Sequence, residues 1–123
     1  MPHARSRFGT LAENYAAVYL ASRGYRILDR NVRTPVGELD LVARNGRELV
    51  FVEVKARRSH TYGTPEESVT LAKQRHLIRA SQAYVATHRE FRGLPYRIDV
   101  VAITWRGDGE PEVVHIPSAV GEI

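Results

Sequence analysis

The run Glu38-Leu39-Asp40-Leu41-Val42-Ala43-Arg44, followed by Asn45-Gly46 and then Arg47-Glu48-Leu49-Val50-Phe51-Val52-Glu53-Val54-Lys55, decides the reading of this 123-residue chain. Asn-Gly between two alternating apolar runs is the preferred two-residue loop of a type I′ hairpin, in which both central residues need positive φ. Such a turn pairs Arg44 with Arg47, sets Asp40 opposite Phe51 and Glu38 opposite Glu53, and makes Asp40 a diagonal neighbour of Glu53. Alternation then puts Leu39, Leu41, Val50, Val52 and Val54 on one apolar face that meets the core. The other face carries Glu38, Asp40, Glu53 and Lys55, together with Leu49 and Phe51.

Like charges clustered on a sheet repel, so three carboxylates on one face call for compensation. Lys55 offsets one of them. A divalent cation suits the others, because Mg²⁺ takes one or two carboxylates and completes its shell with water and phosphate oxygens. The plainer alternative is a polar face open to solvent, where carboxylates repel little. Leu49 and Phe51 on that face argue for partial cover instead.

Outward from the hairpin, residues 10–22 are mostly apolar or aromatic without internal Gly or Pro, which reads as a largely buried helix stopped at Gly24. Residues 25–32 read as a strand broken at Thr34-Pro35. Beyond the hairpin comes a basic loop with Arg57, Arg58 and His60. Thr64-Pro65-Glu66-Glu67 then has the form of a capping box, predicting a helix from about Pro65 to about His88. Tyr96 to Trp105 reads as a buried strand, and Gly107-Asp108-Gly109 turns it into a last strand near 111–116. The order is αβββαββ, in one domain spanning 1–123 with its core at about 7–105.

Two further groups converge on the charged face. Glu13 is the only charged residue between Arg7 and Arg23; it either reaches the helix edge or points into a polar pocket. Lys73 falls in register with Val69, Leu77, Ala80 and Tyr84, the inward stripe of the long helix, although a lysine there often extends outwards along its stem. The five histidines show no ligand spacing and read as structural or exposed. Asp99, inside an apolar strand, reads as a buried partner for an arginine or a backbone amide. Tyr62 and Trp105 read as packing residues, with base stacking as their alternative.

Composition limits the classes. Hydrophobic residues make up 43% and charged residues 26%, an ordinary globular balance. With no cysteine there is no disulfide or thiolate site, and without a long apolar segment neither secretion nor membrane insertion is expected, so a cytoplasmic protein is. The net charge is +4, but residues 55–97 carry nine Lys/Arg against three Asp/Glu while residues 98–123 carry one against five. A basic middle third attracts phosphate backbones, and solvated basic faces are also common without that role.

Asp40, twelve residues, then Glu53-Val54-Lys55, on paired strands, resembles the PD-(D/E)xK nuclease signature, without the proline that usually precedes the Asp. The longer series Glu13, Ala16, Gly24-Tyr25, Asn31, Gly37 to Leu41, Phe51 to Arg57, Tyr62-Gly63, Lys73 and Arg97 to Val101 resembles the YraN-type family of small bacterial proteins over roughly residues 7–105. That family is similar to archaeal Holliday-junction resolvases. The resemblance implies an α/β fold with a restriction-endonuclease-like core, a mixed central sheet flanked by helices. It implies Asp40 and Glu53 as ligands for Mg²⁺ or Mn²⁺, Lys55 as catalytic lysine, Glu13 as an accessory acid, and unassigned accessory places for Glu38 and Lys73.

The function expected is a metal-dependent endonuclease acting on structured, branched DNA, with Arg57, Arg58 and Arg75 as nucleic-acid-binding candidates. Junction resolution would require two sites and hence a homodimer. Two alternatives stand beside it: a nucleic-acid-binding module of the same fold without catalysis, and a protein-interaction adaptor whose charged face is merely solvated.

Overall fold

The computed structural model describes residues 6–58, 63, 64 and 69–121. Helix α1 runs over Arg7–Ser22 and is followed by strands β1 (Arg26–Thr34), β2 (Gly37–Asn45) and β3 (Glu48–Arg57). Helix α2 (Leu71–Thr87), a single 3₁₀ turn (Arg89–Phe91), β4 (Tyr96–Thr104) and β5 (Glu112–Val120) complete the order. One sheet has the strands in sequence order; β3 and β4 are parallel and the other neighbours antiparallel. A parallel pair cannot be joined by a tight turn, and α2 lies in the crossover between them. This is the mixed α/β sheet in the order αβββαββ.

Each helix covers one face. Small residues of α1 (Ala12, Ala16, Ala17) let it approach Leu41, Ala43, Val50, Val52, Val101 and Ile103 closely. Leu77, Ala80 and Tyr84 of α2 pack on Leu39, Val42, Leu49, Phe51, Ile98 and Val100. The central strand β3 is therefore buried on both sides, and Leu49 and Phe51 are core residues rather than partial cover. Conversely α1 is buried on one side only. No second layer of the described residues covers Leu11 and Val18, which remain 52% and 70% exposed.

The hairpin forms, but its turn and register differ from expectation. Asn45 pairs with Glu48 and Leu41 with Val52, so the loop is Gly46-Arg47. Gly46 has φ +63 and Asn45 keeps negative φ, the pattern of a type II′ turn, which asks positive φ of glycine alone. The register shifts by two, so face assignments along β3 survive while partners change. Continued one step past Leu41–Val52, the observed register sets Asp40 directly opposite Glu53. The backbone ladder ends there, and the Asp40 carboxylate accepts the Val54 N–H at 2.8 Å instead.

A second departure lies beside it. Leu39 joins the α2-side core whereas Leu41 joins the α1-side core, so alternation breaks across Asp40. In the neighbouring strand Arg30 pairs with Leu41 and Val32 with Leu39, and the residue between them, Asn31, has φ +52. That left-handed residue turns both strands together, bringing Val32 and Leu39 onto the α2 side.

Helix α2 starts six residues later than expected. The Thr64–Glu67 capping box falls partly on residues outside those described, and the cap in use is Thr70, whose hydroxyl accepts the Lys73 N–H at 3.2 Å. Thr70→Ala should cost about 1 kcal/mol, the usual worth of such a cap, read as a lower urea midpoint at unchanged m-value. Strand β5 extends beyond 116 to Val120, accommodating Pro117 and Ser118 through a register shift between Ile98 and Val100.

Candidate active site

Asp40 and Glu53 meet where β2 and β3 part. Glu53 is 5% exposed, and its pKa is pushed up to about 7. Burial is the main cause; the Asp40 charge and a hydrogen bond between the two carboxyl groups add to it, against the pull of Lys73 and Lys55. The Lys73 ammonium lies 3.5 Å from Glu53 Oε2. Lys55 shares the α2-facing side of β3 with Glu53 by alternation and is near enough for its charge to act on that carboxyl. Two carboxyls and two lysines, from β2, β3 and α2, thus form one charged cluster.

This donor set fits a hard divalent cation. Two carboxylates pressed together, Glu53 buried and Asp40 half-buried, suit Mg²⁺, which keeps most of its shell as water or phosphate oxygen. Among the described residues no group of three or more His, Asp or Glu side chains could hold a metal. The carboxyl groups brought together here are thus the two of Asp40 and Glu53.

The remaining candidates divide. Glu38 does not join the cluster: it faces Arg33 of β1 in register, with the guanidinium Nε at 3.4 Å, so the three clustered carboxylates expected on the strand become two. Glu13 is buried on α1 with the Arg30 guanidinium 3.6 Å away. Arg57 lies two residues beyond Lys55, donates to the Gly63 carbonyl, and keeps one buried guanidinium nitrogen without a hydrogen-bond partner among the described residues. Arg58 sits on the other side of the sheet, 4.3 Å from the centre of the Phe8 ring of α1. Arg75 is exposed on the outer side of α2 beside Arg79, two residues and so roughly 200° round the helix from Lys73. Of the three arginines proposed for nucleic acid, the structure places Arg57 alone on the face that carries the carboxylates. His3, His60 and Tyr62 lie outside the described residues.

Sequence reasoning missed a second polar cluster, on the α1 side of the sheet. Asp99 is fully buried and accepts from Arg97 Nε (3.0 Å), His115 Nε2 (2.7 Å) and the Ser118 amide (2.9 Å). Arg97 also donates to Glu48 and to the Tyr25 hydroxyl. Of the two partners weighed for Asp99, an arginine or a backbone amide, both are present; His115, expected to be structural or exposed, is the added partner. The signal available was Arg97 and Asp99 two apart on one strand face.

Two clefts lie away from the carboxylates. One of about 530 Å³ runs along the outer face of α1 past Leu11, Tyr15, Val18 and Tyr19. Another of about 390 Å³ is lined by Ile78, Gln82, Tyr96 and Arg97 among others. No described helix is long and apolar enough to cross a membrane.

Comparison with known proteins places the chain among its relatives. The family model described as "Uncharacterised protein family UPF0102" matches residues 12–103, nearly the span of the resemblance read from the sequence. A UPF0102 protein from Syntrophotalea carbinolica is 53% identical over 119 residues, covering 97% of this chain and 95% of that one. Among solved structures, a chain of an EndoMS–dsDNA2 complex aligns with TM-score 0.48 and 17% identity over 87% of this chain. A repair endonuclease from Pyrococcus abyssi aligns with TM-score 0.43 and 19% identity over 87%. This chain spans 41% and 42% of those two chains.

Proposed function

Because this chain belongs to the uncharacterised protein family UPF0102, whose name states no activity, we propose a function from its own geometry: a divalent-metal-dependent phosphodiesterase acting on structured, branched DNA. The observation that carries it is the contact of the Asp40 and Glu53 carboxyls between two lysines. Glu53 is held partly protonated near neutrality at the protein's own cost, and a cation is the partner that would relieve this.

Asp40 and Glu53 would hold Mg²⁺ or Mn²⁺. When bound, the cation supplies Lewis acidity toward the phosphoryl oxygens and lowers the pKa of a coordinated water. The Val54 amide fixes one Asp40 oxygen, which orients the carboxylate before substrate arrives. Lys55, on the rigid central strand, holds the attacking water or balances charge developing on the phosphoryl group. Arg57, two residues beyond Lys55 on the same strand, would add positive charge toward a backbone phosphate. Glu13, Glu38, Arg58 and Arg75 are not used in this mechanism.

Purified protein incubated with four-way junction, flap, linear duplex and single-stranded DNA, with Mg²⁺ or Mn²⁺ and with EDTA, tests the proposal. We expect metal-dependent cleavage of branched substrates by wild type and none by Asp40→Ala. Equal cleavage by the two proteins would sink the assignment. Salt-sensitive binding that persists in Glu53→Gln, with no cleavage under any condition, would establish a binding module instead.

A further inference from the structure

We propose that Lys73 is a displaceable counter-ion for Glu53: a divalent cation entering the site takes its place, and the released ammonium engages a phosphate of the bound nucleic acid. The inference rests on the metal-site reading above and goes beyond it by giving α2 a role in substrate binding.

The geometry separates a fixed part of Lys73 from a movable one. Its backbone is pinned, since the residue stands in the first turn of α2 and its N–H is held by the Thr70 hydroxyl. The helix stripe through Leu77, Ala80 and Tyr84 is seated in the core and aims position 73 at the sheet. The side chain is different. It is 41% exposed where its partner is 6% exposed, so the ammonium can leave Glu53 for solvent without opening the core. At 3.5 Å the contact is an ion pair, longer than the roughly 2.7–2.9 Å of a close charge-assisted hydrogen bond.

Electrostatics supplies the direction of exchange. The Asp40–Glu53 pair faces Lys73 and Lys55, whose charges favour its ionised form. A dication bound to both carboxylates would stand within a few ångströms of Lys73, and two like charges at that distance repel strongly where water is scarce. Lys73, on a flexible four-carbon stem beside solvent, is the one that moves. A nucleic-acid phosphate drawn to the same cation then offers the displaced ammonium its nearest new partner, so metal binding would switch on one additional phosphate contact.

Two measurements on wild type, Lys73→Met and Asp40→Asn test this. In calorimetric titrations with Ca²⁺ at pH 8.5, Lys73→Met should bind on the order of three- to tenfold more tightly than wild type, since a competing charge is gone, and Asp40→Asn should not bind. For a fluorescent four-way DNA junction, the slope of log Kobs against log[salt] should be steeper for wild type than for Lys73→Met by about 0.9 in Ca²⁺, with no difference in EDTA. Lys73→Arg should keep the wild-type slope in Ca²⁺. Wild type and Lys73→Met binding Ca²⁺ equally, or differing in slope by the same amount with and without Ca²⁺, would overturn the counter-ion proposal and leave the metal site standing. If wild type itself takes up no Ca²⁺, the metal-site reading falls, and this inference with it.

Discussion

Metal-free Glu53→Gln should be more stable than wild type at pH 8, by roughly 1–3 kcal/mol, and the difference should vanish near pH 4.5. The folded protein keeps the Glu53 proton up to about pH 7, whereas the unfolded chain releases it near 4.5. Between those values the folded state binds more protons, so stability falls as pH rises through that window. A shift from 4.5 to about 7 corresponds to at most about 3.5 kcal/mol at 1.4 kcal/mol per pH unit, and it belongs to the Asp40–Glu53 pair rather than to one carboxyl. Glutamine removes the titration while keeping the shape. Urea unfolding of both proteins in EDTA from pH 4.5 to 8.5 measures it; a variant less stable than wild type at pH 8, or an unchanged slope, would show that the buried carboxyl is satisfied by the protein alone.

The same variant separates stability from function. Millimolar Mn²⁺ should raise the unfolding temperature of wild type at pH 8, because a ligand that binds only the folded state stabilises it, and should leave Glu53→Gln unmoved. A residue whose replacement stabilises the fold while abolishing a ligand response is one held in place for that ligand, since natural chains retain destabilising groups mainly where function needs them.

How much of this was legible depends on the range of each interaction. The β2–β3 hairpin and the approach of Asp40, Glu53 and Lys55 were readable because Gly46 and the alternating apolar residues act over a few positions. Asn45-Gly46-Arg47 leaves open whether the glycine is the first or second central residue of the turn. Both choices preserve the faces, so the site survived an error of register that changed every cross-strand partner, and the correct register drew Asp40 and Glu53 closer. Lys73 was readable from the stripe it shares with Leu77, Ala80 and Tyr84, whereas the start of its helix was not, because Thr64 and Thr70 are both plausible caps in the sequence and α2 is capped by Thr70. The break in alternation at Asp40 was hidden, since its cause is the left-handed backbone of Asn31 on the adjacent strand. Glu38 was misplaced for a related reason: its neutralising partner, Arg33, belongs to β1, and that pairing follows from the β1–β2 register.

Asp99→Asn should destabilise the protein by roughly 3 kcal/mol, the cost of leaving the half-buried Arg97 guanidinium without its fully buried anion and the His115 ring without its acceptor. Burial works to raise the Asp99 pKa, but hydrogen bonds from His115, Arg97 and the Ser118 amide outweigh it and hold the carboxyl below its ordinary value. Its stabilisation is therefore present above the unfolded value of about 3.8 and is lost as pH falls through the lower folded value. This slope is opposite in sign to that of Glu53 and lies in a more acidic window. Wild-type stability without metal should accordingly be highest between the two windows, near pH 4–5, and fall on either side. Asp99→Asn should lack the acid limb and keep the neutral one; Glu53→Gln should do the reverse. Because Asp99 lies on the α1 side of the sheet and Glu53 on the α2 side, their effects should add within a few tenths of a kcal/mol in the double variant. Asp99→Asn should also retain the Mn²⁺-induced shift wherever it is folded. A loss below about 1 kcal/mol would mean that Arg97 and His115 find other partners, with Glu48 and Tyr25 already in contact with the arginine. Loss of the Mn²⁺ response in a folded Asp99→Asn protein would instead show that the two faces of the sheet are coupled through β3 and β4, the parallel pair in which Val52 stands beside Asp99 and Glu53 beside Val100.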